Sequence, residues 1–322
     1  MLREPDVVDG TRLGIIGLGH VGRALAQRAS AAGVAVLGFD VSAEAAAVAR
    51  AASIPVAVDL PGLLRSSTIA LVCVFDDGQL GDVVGRIAAG TGTPEGPELV
   101  INAATCSPAA VERAALALRH HGIDFIELPL SGSSVQIRDG EALGLVGADN
   151  EILSRYAPII DVLAPLYFHV GPPGAGARAK LASNLVLGLN RAALAEGIAL
   201  AECLGLDGHR FLELLRRSPA YSRAVDTVGA RMVSRDFEPR SRLAQHRKDL
   251  ALILQEAEGR RTGLPLARAH LDLLDRAISL GLGEQDNAAV IAALTTDTDT
   301  HPGSRPDTDT DTDTDAASPR IA

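Results

Sequence analysis

Between Thr11 and about Val170 the chain alternates short apolar runs with alanine-rich stretches of helical period, and this alternation constrains the fold more than any single motif. The runs LGIIG (13–17), VAVLGF (34–39), IALVCVF (69–75), ELVINA (98–103), IDFIEL (123–128) and LGLVG (143–147) read as strands. Helical patterns lie between them, near 20–32, 43–52, 79–89, 108–121 and 149–163. Strand and helix in alternation build a parallel sheet covered on both faces, and runs without polar alternation suit strands buried on both sides. After GPPGAG (171–176) only helical patterns follow, at 177–204, 207–217, 221–233, 242–258, 264–281 and 284–294. The expected fold class is α/β, with a doubly wound, mainly parallel sheet over 1–173 and an all-α domain over 174–295. Residues 296–322, with DTDTDTDTD at 307–315, form a tail expected to be disordered, because it has little apolar area to offset its ordering entropy.

Composition narrows the function. The 322 residues carry 30 Lys+Arg against 40 Asp+Glu, a net charge of -10, and 47% are hydrophobic. That is enough apolar material for about two domains. Aromatics are only 3% with no Trp, and the acidic balance disfavours nucleic acid and anionic membrane as partners. No apolar run approaches the roughly 20 residues of a membrane helix, and the opening MLREPDVVDG lacks a signal pattern, so a cytoplasmic protein is expected. Cys73, Cys106 and Cys203 are too few and too scattered for a disulfide framework or a zinc site. They read as small buried residues, and no metal site is expected. Among the 30 basic residues only Lys180 and Lys248 are lysines. A lysine amine can be tuned into a useful titration range, whereas a guanidinium cannot.

Gly17-Leu18-Gly19-His20-Val21-Gly22 matches G-x-G-x-x-G, follows a predicted strand and opens a predicted helix. Gly17 suits the tight turn, Gly19 the approach of a pyrophosphate, and Gly22 close helix–strand packing, with the phosphates at a helix N-terminus. This context makes the N-terminal domain Rossmann-type. Leu18, His20 and Val21 complete the loop, His20 being expected at the solvent edge with no catalytic role. Asp40 ends the second strand, where a carboxylate binds ribose hydroxyls and repels a 2′-phosphate. NAD is therefore favoured, with NADP as the other possibility.

Lys180 and Asn184 stand four apart on one predicted helix and share a face. In a cleft beside a nicotinamide, the amine can exchange a proton with an alcohol while the amide orients the substrate. A desolvated lysine has a lowered pKa, which suits that exchange near neutral pH.

At this point the chain, over roughly 12–294, resembles the β-hydroxyacid dehydrogenase family, which includes 3-hydroxyisobutyrate dehydrogenase and tartronate semialdehyde reductase. The resemblance rests on GLGHVG with Asp40, ELPLSGS (127–133) with Gly140, GAGARAKLASN (174–184) and HRKDLALILQEA (246–257). It implies that Lys180 is the catalytic acid/base and that Asn184 helps position substrate. It further implies that Ser131, Gly132 and Ser133 hold the substrate carboxylate. By the same resemblance Lys248 lines the cofactor and substrate cleft, followed by Asp249, and Val74, Phe75 and Thr105 border the cofactor. The implied reaction moves hydride between nicotinamide and a small 3-hydroxy acid.

Four departures fall near the pocket. Asn102-Ala103-Ala104-Thr105 stands where the family has Asp-x-Ser-Thr, Ser133 where it has a second glycine, Ile137 where it has alanine, and Phe75 where it has proline. The substrates of named members are therefore not transferable. An imine reductase-like enzyme on the same plan is one alternative, although such proteins generally lack the lysine–asparagine pair. A non-catalytic NAD-binding protein is the other. Gly188, Ala192, Ala193, Ala195 and Gly197 would allow close helix packing, and a homo-oligomer is expected.

Overall fold

The computed structural model describes residues 10–90 and 96–295, so the Thr-Asp tail lies outside the described residues. The strands are β1 (Arg12–Ile16), β2 (Ala35–Phe39), β3 (Ile69–Val72), β4 (Leu99–Asn102), β5 (Asp124–Glu127), β6 (Leu130–Ser131), β7 (Leu143–Gly147) and β8 (Leu166–Gly171). Among them run α1 (His20–Ala31), α2 (Ala43–Ala51), α3 (Leu60–Arg65), α4 (Asp77–Gly90), α5 (Pro108–His120), α6 (Ser134–Asp139), α7 (Asn150–Arg155) and α8 (Ala157–Leu163). Strands β2, β1, β3, β4 and β5 lie parallel in that order. Next to β5, β7 runs antiparallel to it and to β6, and β8 pairs in parallel with β7.

Alternate strand residues feed two cores, which is what double winding requires. Leu13, Ile15, Leu71 and Ile101 pack with α1 and α8 on one face. Ile16, Ala70, Val72 and Val100 pack with α3, α4 and α5 on the other. Each fully buried Leu or Ile contributes roughly 1.5–3 kcal/mol. Because β1, β3, β4 and β5 point the same way, their C-terminal ends and the loops after them gather at one edge of the sheet, where open α/β sheets bind ligands.

The second half is helical. It comprises α9 (Ala175–Cys203), α10 (Gly208–Arg216), a π turn (Val225–Gly229) running into α11 (Ala230–Ser234), α12 (Leu243–Gly259), α13 (Pro265–Ser279), and a 3-10 turn (Asn287–Ile291) running into α14 (Ala292–Thr295). Its core joins Leu194, Ile198, Leu212, Met232, Leu250, Leu274 and Ile291.

Several expectations are corrected. The helix expected over 149–163 is two, α7 and α8, parted at Tyr156, because Pro158 in the first turn of α8 offers no N–H to the preceding turn. The helix expected over 221–233 narrows into the π turn and α11, and that over 284–294 begins as a 3-10 turn. Helices α3 and α6 and strands β6 and β8 were not anticipated. Strand β8 leaves Leu166, Phe168 and Val170 exposed, so it lacks the two-sided burial by which the other strands are read. Cys203 is exposed in the last turn of α9, whereas Cys106 is buried and Cys73 nearly so.

One buried carboxylate couples the two halves. Glu127, 1% exposed at the end of β5, accepts hydrogen bonds from the Gly174 and Gly176 N–H groups at 2.9 and 3.0 Å. It thus satisfies the start of α9, which has no side-chain cap of its own. Burial pushes its pKa up to about 7 against the pull of these N–H donors. Glu127→Ala would strand buried donors and is expected to cost about 2–4 kcal/mol in urea unfolding. With its folded pKa raised above the unfolded value, Glu127 binds its proton more tightly in the folded state, and its contribution to stability declines as pH rises toward 7. Glu127→Gln should therefore show a flatter decline in unfolding midpoint than the parent between about pH 5 and 8. Parallel slopes would contradict this.

Candidate active site

The glycine loop between β1 and α1 has the shape of a dinucleotide cradle. Gly17 has φ +97°, and a Cβ added there would lie 2.4 Å from the Cys73 carbonyl oxygen. At Gly22 an added Cβ would fall 1.9 Å from the Gly17 oxygen, whereas at Gly19 it would meet nothing within 4 Å. The first and third glycines are thus required by packing, and the middle one leaves an open approach. Helix α1 has no side-chain cap, so N–H groups of its first turn remain available to an anion. Asp40 braces the loop, its carboxylate accepting from Leu18 N–H at 2.7 Å and Ser42 N–H at 2.8 Å. Val74 lies beside Gly17, so the loops after β1 and β3 meet. These features fit a nicotinamide dinucleotide.

His20 stands at the edge of the loop. It is half-buried, and its pKa is lowered by desolvation and by the nearby Arg23 and Arg242 guanidinium groups. With Arg23, Ser134, Val135 and Arg138 it lines a hollow of about 130 Å³ between α1 and α6. Val21 is exposed on the outer side of the loop.

Ser131 ends β6, and Gly132 and Ser133 follow it, the three lying four to six residues beyond Glu127. The Ser133 hydroxyl accepts from Gln136 N–H at 3.3 Å while the Gln136 side chain accepts from Ser133 N–H at 2.9 Å, a capping box for α6. The Ser133 backbone is extended (φ -76°), so nothing there calls for glycine. Gly132 is needed, because an added Cβ would press on Ala142 at 2.8 Å. Ile137 is buried in the sheet-side core. Gly140 ends α6 in the left-handed conformation (φ 77°).

Lys180 and Asn184 occupy the buried face of α9, each 6% exposed. Asn184 Nδ2 donates to Asp249 Oδ2 at 3.2 Å, leaving its second N–H and its carbonyl oxygen for a ligand. Among the described residues, Lys180 Nζ has no hydrogen-bond acceptor. Desolvation lowers the amine's pKa from 10.5 to about 8, with Asp249 pulling it up and Arg191 pushing it down.

Lys248 reaches the opposite wall. Its Nζ donates to the Phe75 carbonyl at 2.9 Å and the Thr105 carbonyl at 2.8 Å, and it pairs with Asp249 Oδ1 at 3.0 Å. It also lies 5.3 Å from the centre of the Phe75 ring. Two of its N–H groups are held by backbone carbonyls and its charge by Asp249, so Lys248 ties α12 to the ends of β3 and β4. Sequence reasoning missed Glu127, and it named Asp249 only as a neighbour of Lys248. The signals were present: an acid closing the strand run IDFIE, and an acid adjoining one of two lysines.

Comparisons with known proteins agree with this geometry. Residues 12–171 match the model described as the NAD binding domain of 6-phosphogluconate dehydrogenase. Residues 174–294 match that described as NAD-binding of NADP-dependent 3-hydroxyisobutyrate dehydrogenase. An uncharacterized oxidoreductase of Mycobacterium tuberculosis is 32% identical over 85% of this chain and 95% of its own length. The chain belongs to the β-hydroxyacid dehydrogenase family. A 2-hydroxy-3-oxopropionate reductase of Escherichia coli is 29% identical over 88% of this chain and 97% of its own. The structure of a 3-hydroxyisobutyrate dehydrogenase from Salmonella typhimurium superposes with a TM-score of 0.78 at 26% identity, covering 88% and 99% of the two chains. Like its family, this protein is an NAD(P)-dependent oxidoreductase with a Rossmann domain and a helical domain. Gly22→Ala should raise the dissociation constant for the dinucleotide by at least about tenfold in calorimetric titration, with far-UV circular dichroism retained. Unchanged affinity would contradict the packing role of Gly22.

Proposed function

We propose that this dehydrogenase interconverts a small 3-hydroxy acid and its aldehyde, with NAD preferred over NADP and Lys180 as the acid/base. The supporting observation is the buried amine of Lys180 on the same face of α9 as Asn184, its pKa lowered to about 8 and its Nζ without a hydrogen-bond acceptor among the described residues. When bound, oxidised nicotinamide supplies the acceptor for hydride and its electron pair.

The remaining work belongs to the chain. In oxidation the neutral Lys180 amine takes the hydroxyl proton as the carbon–oxygen bond becomes a carbonyl, and in reduction the ammonium returns that proton to oxygen. Asn184, held by Asp249, offers one N–H and one carbonyl oxygen to the substrate. The Ser131 and Ser133 hydroxyls and the Gly132 N–H supply donors for the carboxylate, a neutral anion pocket, the Ser133 N–H being held by Gln136. Lys248 keeps the helical wall against the cofactor edge, with Phe75 and Thr105 on the other side. Asp40 offers its remaining lone pairs to ribose hydroxyls and repels a 2′-phosphate, which supports the NAD preference. The division at 173/174, a cytoplasmic location and a homo-oligomer belong to the same reading. Among the described residues no helix is long and apolar enough to cross a membrane. Of the small residues on α9, Gly188 and Ala195 are buried within the chain, while Ala193 is exposed.

Steady-state assays with both cofactors on a panel of 3-hydroxy acids test the proposal. Lys180→Ala is expected to lose turnover by at least about 1000-fold while still binding NAD, and Lys180→Arg to recover little, since a guanidinium stays charged. Oxidation needs the neutral amine, so kcat/KM should rise with pH and level off above about 8; reduction should fall over the same range. Asp249→Asn removes the charge that raises the amine's pKa and should move both profiles to lower pH. Full activity in either Lys180 variant would end the proposal.

A further inference from the structure

Three helices meet at one buried pair of rings. His246 on α12 and His270 on α13 join Nε2 to Nε2 at 3.0 Å, and both side chains are buried. Each lies on the inner stripe of its helix, His246 with Asp249, Leu250 and Ile253, His270 with Ala267 and Leu274. The third helix, α9, comes up to the pair at Gly188. A Cβ added there would lie 2.6 Å from the His246 ring and 3.4 Å from His270 Nε2, so the absence of a side chain is what admits the rings so close. Gly188 continues the buried stripe of α9 that carries Lys180 and Asn184, one turn farther on.

The contacts define a register. Asn184 meets Asp249 at 3.2 Å, and Gly188 meets His246. Four residues forward on α9 thus correspond to three back on α12, so the two helices run in opposite directions and touch at points about 5 Å apart. The charged groups around the rings are Lys180 and Arg191 on α9 and Asp249 on α12. Desolvation and then Arg191 hold both imidazoles neutral, Lys180 adding to the effect at His246. Two neutral rings have one proton between their facing nitrogens, so one donates and the other accepts. Apolar neighbours such as Leu250 and Leu254 hold α12 by contacts without a preferred direction, whereas a hydrogen bond demands a length and an angle. A slip of α12 along α9 would part the rings and leave two more buried nitrogens unpaired beside His270 Nδ1, which already has no partner.

We propose that His246 and His270 are positioning residues of this dehydrogenase: their hydrogen bond fixes the register of α12 against α9 and so keeps Asp249 within reach of Asn184 and Lys180. This rests on the reading of Lys180 as the acid/base. Asp249 is where the register matters. It also takes Lys248 at 3.0 Å and Gln245 at 3.2 Å, both from its own helix. Those two partners travel with Asp249 when α12 shifts, while Asn184 and Lys180 stay behind on α9. Without the ring pair Asn184 loses its anchor, and Lys180 loses the carboxylate that favours its charged form.

The test uses the full chain with NAD and the 3-hydroxy acid that it oxidises fastest. His270→Leu should lower kcat at least about tenfold with NAD affinity unchanged, and should move the pH profile toward lower pH, as Asp249→Asn does. In the double variant the two effects should not add, because both take the same carboxylate away from Lys180. His270→Gln, whose amide reaches the place of Nε2, should restore most of kcat and return the profile. Gly188→Ala improves helix propensity but presses on the His246 ring, so it should reproduce the shift without unfolding α9. If His270→Leu fails to fold, Gly188→Ala and its own cycle with Asp249→Asn decide in its place. A lowered thermal midpoint with an unmoved pH profile, or effects that add in the double variant, overturns the proposal and leaves the pair a packing element. Should the parent bind NAD yet oxidise no 3-hydroxy acid, the acid/base reading fails. A carbon-13 titration of Lys180 in the parent and His270→Leu then still decides the positioning, by whether the midpoint falls.

Discussion

The cost of burying the Lys180 ammonium organises this molecule. Water would hold that charge at little expense; the interior of α9 does not, and the amine becomes ready to lose its proton near neutral pH. Asp249 limits the penalty without cancelling it, because its carboxylate is shared with Asn184, Lys248 and Gln245. A tighter Lys180–Asp249 pair would keep the amine charged and remove its use as a base. The arrangement therefore depends on one carboxylate divided among several donors.

That division works only while the two halves of the chain stay together. Two contacts of different chemistry hold them. Glu127 fixes the start of α9 to the end of β5 through backbone N–H groups. Lys248 fixes α12 to the loops after β3 and β4 through backbone carbonyls. Each uses a charged side chain against main-chain dipoles, so neither depends on the identity of the loop residues it grips. This explains how Phe75 and the Asn102–Thr105 segment can depart from the family pattern while the cleft keeps its frame.

Much of this was legible before any coordinates. The glycine spacing carried three separate geometric demands, and Gly17, Gly19 and Gly22 each meet a different one. Runs buried on two sides, such as IALV and LVI, announced the parallel strands because nothing polar interrupts them. Strand β8 escaped notice for the opposite reason, since an edge strand with one solvated face has no such run. The pairing of Lys180 with Asn184 followed from helical spacing. The roles of Glu127 and Asp249 did not, because each meets its neighbours across long stretches of sequence. Glu127 contacts a helix that begins 48 residues later, and Asp249 meets Asn184 from 65 positions away. Local pattern fixes elements; which buried charge answers which is decided only by how the elements pack.

The scarcity of lysine makes the central claim directly measurable. With only two lysines in the chain, protein labelled with carbon-13 at lysine Cε yields two side-chain signals, and Lys180→Arg identifies one of them. A pH titration followed by NMR should show the Lys180 signal moving with a midpoint near 8. A midpoint at the ordinary lysine value of 10.5 would contradict the account, because the amine would then be solvated and fully charged at neutral pH.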